Sequence, residues 1–477
     1  MKLNALTFNA LSAGMAAVMM AGLGTLAASA QAAPQAPQHV PPSGVIGVRE
    51  EMLKPEFWIA RTRQPEKLLL TPAAIAARNA RTLANDPVLV NLSTLPATVT
   101  RAQVAGWLHD AMASPPGQLV DRKGEPIAPA ASEAAVGNVQ SDAIPDSQPV
   151  RWGLSVRRAA LRLLPTTLEG YASKDATDVD AFQGGILFPG EAVAIVHTSR
   201  DGLWAFLQTT QGPAWVARDD IAEGDRARVL GYGTNGPFRV VTGDGVQTVF
   251  TPEAPEVSEL KLDMGVRVPL ADVAPDQPVN GQGPYASWVL DLPVRTADGT
   301  LAFKPALLRR TADTSAGYLP LTRANLIRQA FKFLGERYGW GHTYNARDCS
   351  GFTSDVYRSL GLILPPNSGA QGRSPAFKHQ RFTAADSHDA RVRALKNAQV
   401  GDLVVVPGHV QMILGHIRGE PYVIQDVPFA VFPDGSGSLR WTKLNQVAVT
   451  PLLPLMADKT QTYADAMTSL VHVTAPD

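Results

Sequence analysis

Asp348-Cys349-Ser350-Gly351-Phe352 decides how this 477-residue chain is read. A polar start followed by Phe352, Val356, Tyr357 and Leu360 along one side predicts a helix beginning at Cys349 or Ser350 and stopped by Gly361. Unpaired N–H groups and the helix dipole at a first turn favour an anion, so a thiol placed there is expected to have a lowered pKa and to act as a nucleophile. The same N–H groups can hold a carbonyl oxygen as it becomes an oxyanion. A lone cysteine is ordinarily an inert small hydrophobe. Here Asp, Ser and Gly around it make a poor core, which favours the reactive reading.

A nucleophilic thiol needs an imidazole, and the imidazole needs a polar group to orient it. Of nine histidines, His409 stands apart because it opens a strand directly after Pro407-Gly408 and the apolar run Leu403 to Val406. His416 is seven residues further on, on the opposite strand face by parity. His342, in the loop before Cys349, is expected either to line the site or to be solvated. In Tyr422-Val423-Ile424-Gln425-Asp426, Gln425 can offer its side-chain oxygen to the His409 ring N–H from a neighbouring antiparallel strand, and Asp426 is its rival. The order Cys, His, polar, with gaps of 60 and 16 residues, is that of a papain-like site.

Around this core, Thr322 reads as an N-cap before Leu326, Ala330 and Phe333, and strands are expected over 402–406, 409–414, 422–426 and 446–452. Helices first and strands after make an α+β domain, placed at 319–456. Upstream, short alternating runs such as Val193/Ile195 and Trp204/Phe206, punctuated by Pro189-Gly190, Asp201-Gly202 and Gly243-Asp244-Gly245, predict two small β barrels at 151–225 and 226–318. Residues 34–150 read as a Pro/Gln linker from Pro34 to Pro42, a region of helical spacing over 48–112 with a helix start at Thr71-Pro72, and an extended strap or linker from Ser114 to Pro149. Residues 1–33 read as a secretory signal, with Lys2, an apolar Ala10–Ala28 stretch, and cleavage after Ala28-Ser29-Ala30 or Ala30-Gln31-Ala32. A membrane anchor is the alternative there. The 457–477 tail, with Met467, Leu470 and Val471, is expected to be a short amphipathic segment packing on the body.

Composition narrows the function. Lys plus Arg and Asp plus Glu are 43 each, so the net charge is zero and gives no electrostatic case for nucleic acid or an anionic membrane. One cysteine excludes an intramolecular disulfide and a thiolate metal cluster, so neither a metal nor another cofactor is expected. No later apolar run is long enough to span a bilayer, and the expected setting is periplasmic or extracellular.

Gly335-Glu336-Arg337-Tyr338-Gly339-Trp340-Gly341, the Arg347 to Phe352 core, Leu364-Pro365 with Ser368 and Gln371, and Gly401-Asp402-Leu403 followed by Gly408-His409-Val410 resemble the NlpC-type cell-wall cysteine peptidases. Trp152-Gly153, Val156-Arg157-Arg158, Leu161-Arg162, Pro165-Thr166 and Asp201-Gly202-Leu203-Trp204 resemble the first bacterial SH3-like domain of a multidomain branch of that family. Glu51 to Asn79, with Phe57-Trp58, resembles its N-terminal clamp region. The resemblance implies two SH3-like barrels before a papain-like α+β peptidase domain. It implies Cys349 as nucleophile, His409 as base, Gln425 as its orienting residue and Tyr338 as oxyanion donor. Asp348, Ser350, Trp340 and Ser368 are then expected to contact substrate. The implied reaction is hydrolysis of peptidoglycan stem peptides or muropeptides at γ-D-glutamyl–diamino acid bonds. The sequence departs from the pattern at Gln425, where many relatives carry His, at Pro366, where Arg is frequent, and at His342, where Gly is common. Asp175, Asp178 and Asp180 read equally as partners for a substrate amine or as turn residues. The alternatives are a non-catalytic wall-binding protein and a transferase using the same dyad.

Overall fold

The computed structural model describes residues 43–112 and 118–475. The expected signal region and the Pro/Gln linker after it lie outside these residues. The helix expected after Thr322 forms as α1 (Arg323–Phe331), with the Thr322 hydroxyl accepting from Asn325 N. The decisive helix, α2 (Cys349–Ser359), follows; α3 (Ser368–Arg373), α4 (His388–Asn397) and α5 (Tyr463–Ala466) complete the helices around one sheet. That antiparallel sheet has strands β1 (Lys378–Arg381), β2 (Leu403–Val406), β3 (His409–Ile417), β4 (Glu420–Pro433), β5 (Leu439–Pro451) and β6 (Ser469–His472), in the order β1-β6-β2-β3-β4-β5.

The tail is therefore more than a segment packed on the body. β6 pairs with β2 through Leu403↔Val471 and Val404↔Leu470 and with β1 through Gln380↔Leu470, so the sheet continues past residue 456. Leu470, Val471 and Met467 are buried with Leu403, Val404 and Met412 in the core shared by α1 and α2. The N-terminal clamp region joins that core through Trp58, which lies against Tyr422 (ring centroids 5.4 Å apart) and donates its indole N–H to Met52 O at 2.7 Å. A Cβ on Gly415 would stand 3.1 Å from the Trp58 ring, so glycine lets the indole reach the sheet. Arg78, in the helix Pro72–Asn85, donates to Val473 O and Ala475 O, tying the clamp region to the C-terminal segment.

Residues 151–224 form a seven-stranded antiparallel sheet buried on both faces. One face, with Leu161, Val193, Ile195, Leu207 and Val216, packs within the unit. The other, with Trp152, Phe206 and Trp215, is covered by Val104, Leu108, Ala135 and Val139. Much of the stretch read as a linker is thus structured: Pro129–Asn138 is a helix, and Ser147–Pro149 pairs with Thr98–Thr100. Alanine-rich composition hid this helix, because its apolar face is defined by what it covers rather than by bulky periodic residues. Residues 238–315 form three small antiparallel sheets around their own core rather than one continuous barrel sheet. Ile186 and Phe188 of the first unit enter that core while Leu301 enters the first, so the two β units interlock.

Candidate active site

Asp348 caps α2, its Oδ1 accepting from Gly351 N at 2.8 Å and from the Ser350 hydroxyl at 2.9 Å; its Oδ2 accepts from Gly341 N at 3.1 Å. Cys349 is consequently the first helical residue and is 6% exposed. The helix is braced from behind by buried Gln371, which accepts from the Thr353 hydroxyl and donates to the Ser350 carbonyl. Gly351 is required by close approach: a Cβ there would lie 2.4 Å from the His342 ring.

His409 opens β3 and is buried. Its Nε2 lies 2.7 Å from Gln425 Oε1, and Gln425 Nε2 donates to the Thr450 hydroxyl at 2.7 Å. Because a carbonyl oxygen only accepts, this arrangement assigns the ring proton to Nε2 and leaves Nδ1 as the free base. The structure thus hydrogen-bonds Gln425 to the imidazole; Asp426, the rival, is buried with neither carboxylate oxygen hydrogen-bonded. Burial holds the His409 pKa down at about 4, against smaller opposing contributions from Gln425 and Asp348, so the imidazole is neutral at pH 7.

The thiol corrects the electrostatic expectation. Burial raises the Cys349 pKa, and the Asp348 charge adds to that; hydrogen bonds from the backbone N–H groups of Val410 and Ser350 oppose the rise without cancelling it. A helix start stabilises a thiolate only as far as its dipole exceeds the desolvation cost, and here desolvation wins. The thiol and the imidazole thus both rest neutral. Tyr338 is also buried, and burial, followed by the Cys349 and Asp348 charges, keeps its phenol protonated and able to donate.

The other expected substrate contacts divide. Ser350 spends its hydroxyl on Asp348. Trp340 donates its indole N–H to Gln183 O at 3.1 Å, in the first β unit. Ser368 is half-buried at the start of α3. His342 is half-buried between α2 and Phe188, its ring centroid 6.0 Å from the phenyl. It takes φ 63°, and Tyr344 and Asn345 in the same loop are also left-handed, conformations that non-glycine residues hold only under external constraint. The constraint is visible: Gln183 donates to Gly341 O, Arg158 to Ala346 O and Lys261 to Asn345 O. Of the three aspartates, Asp180 is bound to Arg162 and to backbone N–H groups of the turn, Asp178 pairs with Arg337 at 3.0 Å, and Asp175 lies near this turn.

Two groups at the site were not foreseen. Arg347, fully buried, binds Asp355 (2.8 Å) and Glu336 of the catalytic domain and Asp263 (3.3 Å) and the Asp244 carbonyl of the second β unit. Tyr463, from the tail, packs edge to face against His409 with ring centroids 5.9 Å apart at 84°. Nothing local in the sequence connects either residue to those partners.

A helix with a thiol at its first residue, laid on an antiparallel sheet whose strand opens with a glutamine-bound histidine, defines a papain-like α+β domain behind SH3-like β structure. Residues 335–422 match the NlpC/P60 family model and residues 171–217 match that of the SH3 domain (SH3b1 type), so the chain carries an SH3-like domain followed by an NlpC/P60 domain. It is 51% identical over 47 residues to a probable endopeptidase p60 of Listeria welshimeri, covering 10% of this chain and 9% of that protein. It is 30% identical over 108 residues to a probable endopeptidase of Corynebacterium glutamicum, covering 22% of this chain and 50% of that one. The matches therefore span half or less of those relatives. An NlpC/P60 endopeptidase from Photobacterium damselae subsp. piscicida shares the fold, with a TM-score of 0.68 and 16% identity, over 85% of this chain and 94% of that one. Among the described residues no helix is long and apolar enough to cross a membrane.

Proposed function

We propose that this chain is an exported cysteine endopeptidase that hydrolyses peptidoglycan stem peptides at the γ-D-glutamyl–diamino acid bond. The observation that carries the reading is the His409 Nε2 to Gln425 Oε1 bond of 2.7 Å, which leaves Nδ1 as the free base in the domain whose α2 opens with the chain's single thiol. A purely wall-binding protein has no use for that arrangement.

The chemistry follows from two neutral groups. As Cys349 Sγ attacks the scissile carbonyl carbon, His409 Nδ1 takes the thiol proton, so charge appears only once substrate is bound. The Tyr338 hydroxyl donates to the developing oxyanion. The imidazolium, held by Gln425, returns its proton to the leaving amine, and the acyl-enzyme forms. Water, deprotonated by the same Nδ1, then attacks the acyl carbon and releases the carboxylate and the thiol. Gln425 fixes the ring without supplying negative charge, which keeps the imidazolium a transient species.

Mass spectrometry of defined muropeptides incubated with the full chain tests the reading, because it reports bond and acceptor together. Cleavage of L-Ala-γ-D-Glu-diaminopimelate after glutamate, abolished by Cys349→Ala with stability changed by less than about 1 kcal/mol, is the expected result. Activity retained in Cys349→Ala overturns the mechanism. Products joined to a second amine instead of water would identify a transferase.

A further inference from the structure

We infer that Tyr463, supplied by the C-terminal segment, is a positioning residue for the His409 imidazole, so that the chain beyond residue 456 is part of the working site. This rests on the cysteine peptidase reading above.

The imidazole has two kinds of restraint. Gln425 fixes its Nε2 edge, and that amide is held in turn by Thr450. One hydrogen bond at the far end of the ring does little to fix its rotation about the Cβ–Cγ bond, and that rotation decides where Nδ1 points. The Tyr463 ring, 3% exposed and standing at 84° to the imidazole, closes that rotation. Edge-to-face aromatic pairs attract beyond their burial because the positive ring edge meets the negative ring face, and this biases one ring orientation. Tyr463 also lies close enough to Cys349 that a thiolate there would raise the phenol pKa, after the larger effect of burial, which places it beside both members of the pair.

Tyr463 is itself held rigidly. Thr462 caps α5 by accepting from Asp465 N at 3.1 Å, Tyr463 N donates to Leu455 O at 2.8 Å, and Thr468 N donates to Val405 O at 2.8 Å, just ahead of the turn that leads into His409. β6 then pairs with β2, the strand preceding that turn. The segment therefore registers Tyr463 against the same β2–β3 hairpin that carries His409. Its geometry is set by the sheet, with no contribution from a flexible terminus.

Of the charged and titratable groups, Asp348, the cap of α2, acts on His409 and Tyr463 packs against its ring, while Cys349, Tyr338 and Asp426 lie within electrostatic reach of Asp348. Removing the Tyr463 ring leaves the others in place and admits water to the imidazole. The test uses the full-length protein with Tyr463→Phe, Tyr463→Leu and Tyr463→Ala. An NMR titration of His409, run without substrate, is independent of which bond the enzyme cleaves; kcat and KM are measured on the muropeptide. The expected result is that Phe stays within about 3-fold of the parent in kcat, while Ala raises the imidazole pKa from about 4 by at least one unit and lowers kcat by about 10–100-fold at little change in KM. Leu, of similar volume, keeps the fold if Ala does not, and is expected to lose kcat. An Ala or Leu variant that folds with unchanged kcat and an unchanged His409 titration overturns the inference. A shifted titration in a chain that cleaves no muropeptide would uphold the positioning role and refute the substrate.

Discussion

Arg347→Met tests the charge cluster that joins the catalytic domain to the second β unit. Its guanidinium engages Asp355, Glu336, Asp263 and the Asp244 carbonyl and stacks 4.0 Å from the Phe333 ring centroid. Asp263 and Asp355 are 0% and 1% exposed at the side chain, so removing the cation leaves anions that water cannot reach. Breaking a buried pair from one side costs about 3–5 kcal/mol. Part of that is moderated, because Arg358 still binds Asp355 at 2.7 Å and Arg158 and Lys261 stand 3.4 and 3.9 Å from Asp263. The lower end, about 3 kcal/mol, is therefore expected, a fall of about 6–12 °C in Tm for a unit of this size. The assay is urea and thermal unfolding followed by tryptophan fluorescence, with Arg347→Met/Asp263→Asn as the companion. The double variant should recover at least about 1 kcal/mol, since the cost comes from an uncompensated carboxylate. A loss below about 1 kcal/mol in the single variant, or no recovery in the double, refutes the reasoning. Arg347→Lys is expected to lose less than Met but still to fall short of the parent, because an ammonium keeps the charge while it cannot reach three carboxylates as a planar fork does.

Iodoacetamide should alkylate Cys349 about tenfold faster per pH unit between pH 6 and 9, since the thiol is neutral across that range; a flat profile there would mean a preformed thiolate–imidazolium pair. His409 has a folded-state pKa of about 4 against about 6.5 unfolded, so the unfolded chain binds its proton first and stability falls as pH drops through 6.5 toward 4, by up to about 3 kcal/mol. His409→Gln should flatten that part of the pH dependence, and identical slopes in the two proteins would be inconsistent with a buried neutral imidazole. Gln425→Ala strands the His409 N–H and the Thr450 hydroxyl, and is expected to cost about 1–3 kcal/mol and about 100-fold in kcat, measured by unfolding and muropeptide turnover. Burial pushes the Asp426 carboxyl well above the usual carboxylate range and so favours its neutral form; Asp426→Asn should change stability by less than about 1 kcal/mol, and a larger loss would show that it carries charge.

The start of α2, the identity of His409 at a strand opening, and the placing of Gln425 on the next strand were all legible along the chain. Caps, glycine stops and strand parity act over a few residues, so the types at 348–361 and 403–426 suffice to set them. Four other features came from contacts between distant segments. The thiol's protonation state depends on how much water reaches Cys349, which its neighbours in sequence do not determine. The helix at Pro129–Asn138 has alanines on every side, so only the packed sheet shows which face is buried, and the Arg347 cluster gathers a carboxylate 84 residues away and a backbone carbonyl 103 residues away. β6 enters the catalytic sheet, rather than lying on its surface, because Leu470 and Val471 complete a core already begun by Leu403 and Val404. By itself the sequence determined the order of chemical groups and the helix and strands that bear them, which are local matters of capping and periodicity. The tertiary structure alone decided their charge states and brought Tyr463 against His409, because burial and long-range pairing belong to the packed whole.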